Sequence, residues 1–269
     1  MGHELQRLKR RKSTLQRMEQ LFENRITTLV IHYSCESFYN KTDGKTSRIT
    51  SIAVRNFDSG QTESFSIHQV AERQKIEFSE ITNHYDELEK QMLEDFFEFV
   101  KIKQHCDWIH WNMRDVNYGF TAIEHRFKVL GGTPITISED KKFDLSRALI
   151  NLYGRHYIEN PKFESIITKN NITKKDFLNG EKEAKAFDDK EFVKLHRSTL
   201  RKVDSLANIF ERTLNNELKT NASWFDQRGY SFPVLIEFVK AHWIFSAFSI
   251  ISVLLALVVN WSNFSNLLK

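Results

Sequence analysis

The stretch LVIHYSCESFYNKTDG, residues 29–44, runs an apolar, β-branched segment straight into Ser34-Cys35-Glu36-Ser37. Many metal-dependent nucleases place a carboxylate, any residue and then Glu at such a strand end. Hard cations of the magnesium type demand oxygen ligands, and a pair of them can activate water against a phosphodiester. Here the first acid's place is held by Ser34, a neutral hydroxyl that cannot supply the missing negative charge. His32 and His110 are candidate substitute ligands, although a strand histidine is ordinarily half-buried and hydrogen-bonded. Cys35 and Cys106 are the only cysteines, with no CxxC spacing, which suits a reducing compartment and excludes a disulfide scaffold.

Several elements must position this strand end. A chain of 269 residues with 41% hydrophobic residues can bury a sizeable core, and 3 Pro with 9 Gly leave no room for a Pro- or Gly-rich linker. The formal charge of +4 is a weak lean toward anionic partners. It is concentrated in LQRLKRRKSTLQR, residues 5–17, where Leu5, Leu8 and Leu15 recur at helical spacing. That segment reads as a basic amphipathic helix, either simply solvated or in contact with nucleic acid or anionic lipid. Strands are expected over 26–33, 47–57 and 62–70, with Asp58-Ser59-Gly60 as the hairpin turn. A helix over 81–104, a short strand over 107–112 and a helix closed by Gly131-Gly132 follow, and 143–229 reads as mostly helical. The order implies an α/β domain whose early meander joins a parallel strand.

The C-terminus differs in kind. From Ala241 to Leu268 there is no Asp, Glu, Lys or Arg, and WIFSAFSIISVLLALVV is a run of 17 apolar or small residues that reads as a transmembrane helix. The surplus of Lys and Arg before it places the head in the cytoplasm, giving a single-pass, tail-anchored protein, a plan that fits a bacterial inner membrane. His242, Phe245, Ser249, Ser252 and Ala256 fall on one row of that helix and are candidates for pore lining or helix packing. The expected organisation is thus a basic helix (1–25), a cytoplasmic domain (26–230) and a juxtamembrane and transmembrane segment (231–269).

The order of elements and acids resembles the DEDD superfamily of 3′-to-5′ exonucleases on the ribonuclease H fold, over about residues 26–215. YSCES stands where that family opens with Asp-x-Glu-Ser/Thr. IHWNMRDVNYGF supplies Asn112 and Asp115 for its second acid, and FVKLHRSTLRKVDSLANIFERTL supplies Asp204 for its last, with FLNGEKEAKAF as the loop leading to that helix. The resemblance implies a metal site built from Glu36, Asp115 and Asp204 that is degenerate. It lacks the first acid, and Thr199 and Leu200 stand at the general-base position, with His196 further back. The cleft is therefore expected not to cut and to hold no cofactor or metal.

What such a cleft would keep is its grip on a strand end, through stacking and backbone contacts. The residues that the resemblance implies for this are Ser34, Glu36, Asn112, Arg114, Asp115, Tyr118 and Arg126, with Trp108, Trp111 and Phe120 as either stacking or core aromatics. An exonuclease-like head on a membrane helix is similar in plan to membrane effectors of bacterial anti-phage defence, such as that of the Hailong system. This implies a single-stranded oligonucleotide as ligand, membrane lipid, a homo-oligomer (a tetramer) that forms a pore, and a partner nucleotidyltransferase. The alternative is a membrane-tethered exonuclease using Mg or Mn.

Overall fold

Eight consecutive residues, Thr28–Cys35, form β1, and all but the last are buried. A strand so apolar on both faces must lie inside a sheet covered on both sides. The computed structural model, which describes residues 3–36, 46–115, 117–223, 247–248, 250–257 and 261, places it there. β2 (Ile49–Asn56) pairs antiparallel with β1, and β3 (Thr62–Ser66) antiparallel with β2. On the other side β4 (Asp107–His110) and β5 (Lys142–Asp144) run parallel to β1. The order β3-β2-β1-β4-β5 makes a mixed five-stranded sheet, compatible with a ribonuclease H-like plan.

Helices cover both faces. One face carries Leu29, Ile31 and Tyr33 of β1 with Trp108 of β4, under α2 (Ile67–Arg73), α3 (Tyr85–Ile102), α4 (Phe120–Val129) and α7 (Gly180–Asp188). The other carries Val30, Ala53, Ile109 and Phe143 beneath α1 (His3–Glu23), α5 (Leu145–Tyr153), α6 (Lys162–Lys169) and the long α8 (Phe192–Leu214). The basic N-terminal helix is part of this second core. Met18 and Leu21 are fully buried in it, Arg17 pairs with Asp107 at 2.6 Å, and Lys9, Arg10 and Lys12 face outward.

Three elements differ from the sequence expectation. The alternation read as strand through Val70 ends at Ser66, where α2 begins and buries Ile67, Val70 and Ala71 at helical spacing. β5 falls in the stretch read as helical, because three residues on a sheet edge are too short to show a period. The segment read as a loop before α8 is itself the helix α7, started by Asn179, whose side chain accepts from the Lys182 N–H. Phe120 and Trp108 are core residues and not a stacking surface.

Arg126 differs as well. Expected to meet a ligand, it is buried against Glu89, its Nε 3.0 Å from both carboxylate oxygens and its terminal nitrogen 2.6 Å from one, and it also reaches Asp86 at 2.7 Å. Glu89 is fully buried and accepts the Ile49 N–H at 2.6 Å, so the pair clamps α3 and α4 to the start of β2. A guanidinium so engaged has no face left for nucleic acid. Removing it strands a buried carboxylate, so Arg126→Ala should cost about 3–5 kcal/mol of unfolding free energy, measured by urea denaturation. Loss of under about 1 kcal/mol would contradict the clamp.

No helix among the described residues is long and apolar enough to cross a membrane. His242, Phe245 and Ser249 lie outside the described residues. Ser252 and Ala256 lie in a helical stretch, 250–257, whose side chains are exposed, with Ser252 Oγ donating to the Phe248 carbonyl.

Candidate functional site

The even-numbered residues of β1 point toward α8, so Val30, His32 and Ser34 form a row beneath that helix. The first is in the apolar core; the last is in a polar nest. Ser34 Oγ donates to Glu183 Oε1 of α7 at 2.8 Å and lies 2.8 Å from Thr199 Oγ1 of α8. Ser51 Oγ of β2, directly opposite Ser34 in the sheet, lies 2.8 Å from the same Thr199 oxygen. Thr199 Oγ1 also lies 3.0 Å from the Leu195 carbonyl, so its one proton goes either there or to Ser34, while Ser34 donates to Glu183 and Ser51 can donate to Thr199. Ser198 Oγ adds a further bond to Glu183 at 3.1 Å and accepts the Leu178 N–H.

The cation of this nest is Lys202, one turn beyond Ser198 and Thr199 on α8. Its Nζ lies 2.7 Å from Glu183 Oε2, with side-chain exposures of 6% and 14%, so the pair is held largely out of water. The ammonium also sits 5.5 Å from the centre of the Phe177 ring, a cation–π contact. His32 is buried alongside: its Nε2 is 3.4 Å from the Tyr118 hydroxyl, and its Nδ1 has no partner among the described residues. Burial, and then the Lys202 charge, hold its pKa well below the ordinary value, so it is neutral.

Half-buried aromatics ring the nest. The Trp111 and Phe163 rings stack at 4.8 Å, Phe163 meets Phe177 edge-on at 5.7 Å, and His32 lies 6.3 Å from both Phe163 and Tyr118. Tyr118 stacks on Tyr33 at 4.6 Å and donates its hydroxyl to the Tyr33 carbonyl. Its position depends on the loop between β4 and α4, which doubles back so that Arg114 bridges Gly119. A Cβ at Gly119 would sit 2.6 Å from the Met113 backbone, so only glycine permits the return.

The structure gathers some of the residues expected in the site and separates others. Ser34 and Tyr118 are in or beside the nest. Glu36 stands at the strand end, where its carboxylate accepts the Arg48 N–H at 3.3 Å. Asp115 is exposed and caps its own loop by accepting the Asn117 N–H at 2.8 Å. Asn112 and Arg114 turn the other way, toward Asp144 at the end of β5: the Asn112 N–H donates to that carboxylate at 3.2 Å, and Arg114 pairs with it.

Asp204 is the clearest separation. It pairs with Arg55 at 3.1 Å and with Arg201. Arg55 lies opposite Val30, four residues back along β1 from Ser34, about 13 Å at strand rise. Among the described residues no group of three or more His, Cys, Asp or Glu side chains is placed to hold a metal ion. His196, two turns before Asp204, faces His68 of α2 at 5.0 Å between ring centres.

Glu183, Ser51, Ser198, Lys202, Phe163 and Phe177 were not legible as site residues. One signal pointed to Lys202: on α8 the buried stripe Leu195, Ser198-Thr199, Lys202, Leu206 interrupts an apolar face with polar residues at helical spacing. A lysine there must find an internal partner. Chemically, the nest is a buried ammonium–carboxylate pair with neutral hydroxyls beside a collar of rings, and among the described residues no further carboxylates join Glu183 to cage a divalent cation.

No family model, no curated protein and no solved structure matches the chain.

Two outcomes follow from this geometry. Glu183→Leu leaves a buried ammonium and Lys202→Met a buried carboxylate, each costing about 3–5 kcal/mol, whereas the double variant should recover most of the loss in a denaturation cycle. Additive losses would show that the two groups do not interact. Burial also holds His110 and His196 down to about 4, the latter pressed further by His68. The unfolded chain takes up those protons near pH 6.5, so stability is full above that pH and falls as pH drops toward 4, by about 3 kcal/mol for His196. Urea midpoints from pH 7.5 to 4.5 should show this, and His196→Phe should remove its share and leave that of His110.

Proposed function

We propose that the chain is a catalytically silent, exonuclease-like receptor for a single-stranded oligonucleotide, probed most directly with DNA, whose head controls a C-terminal membrane helix. The observation that carries this reading is the Lys202–Glu183 pair beneath Ser34 and Thr199. In an active enzyme of the resembled family, the end of the first strand and the facing turn of the late helix are where carboxylates would hold two cations. Here the same strand end faces hydroxyls and an internal ammonium. An ammonium paired with Glu183 cannot lower the pKa of water as a bound metal does, so the reading assigns the site binding without cleavage.

The collar supports the binding half of the proposal. Stacking on aromatic rings is sequence-tolerant and needs no metal, and Trp111, Phe163, Phe177 and Tyr118 present half-buried rings around one cation. The membrane half rests on composition together with the exposed Ile250, Ile251, Val253, Leu254, Leu255 and Leu257, a continuous apolar surface that water does not favour. A single helix cannot enclose a pore, so gating requires homo-oligomers whose open and closed forms bind the ligand with different affinity.

The test is one set of samples: full-length protein in mild detergent, end-labelled single-stranded DNA and RNA, with magnesium or manganese and then with chelator. The expected result is binding that survives chelator, with strands intact. Trp111→Ala should weaken binding roughly 5- to 150-fold, the loss of one stacked base. Metal-dependent shortening from the 3′ end would overturn the reading.

A further inference from the structure

A second cavity, of about 380 Å³, opens where β4 and β5 end, between the first turns of α4 and α5 and the flank of α1. The carboxyl ends of parallel strands are where open α/β sheets ordinarily take small ligands. This volume suits one small molecule and not a polymer.

The charges lining it do not cancel. Arg114 is neutralised by Asp144, and Lys142 by Glu139 at 2.5 Å, but the exposed Arg147 guanidinium makes no ion pair among the described residues. His110 adds a directed donor. It is 2% exposed, and its Nδ1 accepts the Met113 N–H at 3.1 Å, which leaves the ring proton of the neutral imidazole on Nε2. That N–H meets no acceptor among the described residues, although the residue lines the cavity. A donor that is free among the described residues and belongs to a residue lining the cavity is open to water or to a ligand oxygen. Asn151 supplies the opposite chemistry: it donates Nδ2 to Thr14 and so keeps its Oδ1 as an acceptor.

We propose that this cavity binds a nucleoside monophosphate, with its phosphate on Arg147 and the His110 Nε2–H and an amino group of its base on Asn151 Oδ1. A bare phosphate would fill a small part of the volume and leave the acceptor unused. The site is distinct from the aromatic collar: Arg114 and Tyr118, four residues apart on one loop, point into the cavity and the collar respectively.

Calorimetric titration of the full-length protein with AMP, CMP, GMP, UMP and their deoxy forms, against ribose 5-phosphate and inorganic phosphate, tests it. The expected result is saturable binding of at least one nucleoside monophosphate, tenfold or more tighter than either phosphate control. That binding should fall tenfold or more in Arg147→Ala and in Asn151→Ala and stay unchanged in Trp111→Ala. Arg147 is exposed, so its variant should fold as the parent does, and circular dichroism checks this. Equal binding of phosphate and nucleotide, no binding at millimolar ligand, or loss in Trp111→Ala with Arg147→Ala unaffected would each overturn the proposal. The last result would put the nucleotide in the collar.

Discussion

A lysine ammonium held almost out of water is tolerable only while a carboxylate stays within ion-pair distance, and the Lys202–Glu183 contact imposes that condition on three elements at once. It fixes α7 against α8, and through Ser34 and Ser51 it ties both helices to the centre of the sheet. β1 is buried on both faces, so its polar end needs internal partners for every hydroxyl. The nest supplies them, and any rearrangement that swung α7 away would expose the cost of two charges and several hydroxyls together.

The same constraint decides what the site can do. Divalent cations are held by converging carboxylates, and here the acids diverge: Glu36 to the Arg48 backbone, Asp115 to its own loop, Asp204 to Arg55. The histidines read as substitute ligands do not converge with these acids: His32 Nε2 meets the Tyr118 hydroxyl and His110 Nδ1 accepts the Met113 N–H. The loop after β4 then divides the space, giving Tyr118 to the collar and Arg114 to the cavity at the end of β5.

The sheet's central strands, its long helices and the N-terminal helix were legible because each carries a long, clean period of apolar residues. β5 and α2 were not, since three edge residues show no period and the alternation of β3 runs on into the first turn of a helix. The candidate site was legible on its strand side, at Ser34, where a missing charge stands out in a known pattern. On its helix side it was not. Asp204 attracted attention as an acid at a familiar separation, yet a helix advances about 100° per residue, so the side chains level with Ser34 are Thr199 and Lys202. Arg126 failed for another reason: nothing in a linear sequence announces that Glu89, 37 positions earlier, will claim it.

In the proposed reading the Lys202 ammonium stands where an active enzyme of the resembled family would hold a cation, and Mn²⁺ binding probes that substitution. Electron paramagnetic resonance titration of Mn²⁺ should find no site on the full-length protein that depends on Glu183. The double variant Ser34→Asp with Lys202→Asp, which sets two new carboxylates beside Glu183, should gain one. A Mn²⁺ site on the unaltered protein that disappears in Glu183→Gln would contradict the account and return the cleft to metal chemistry.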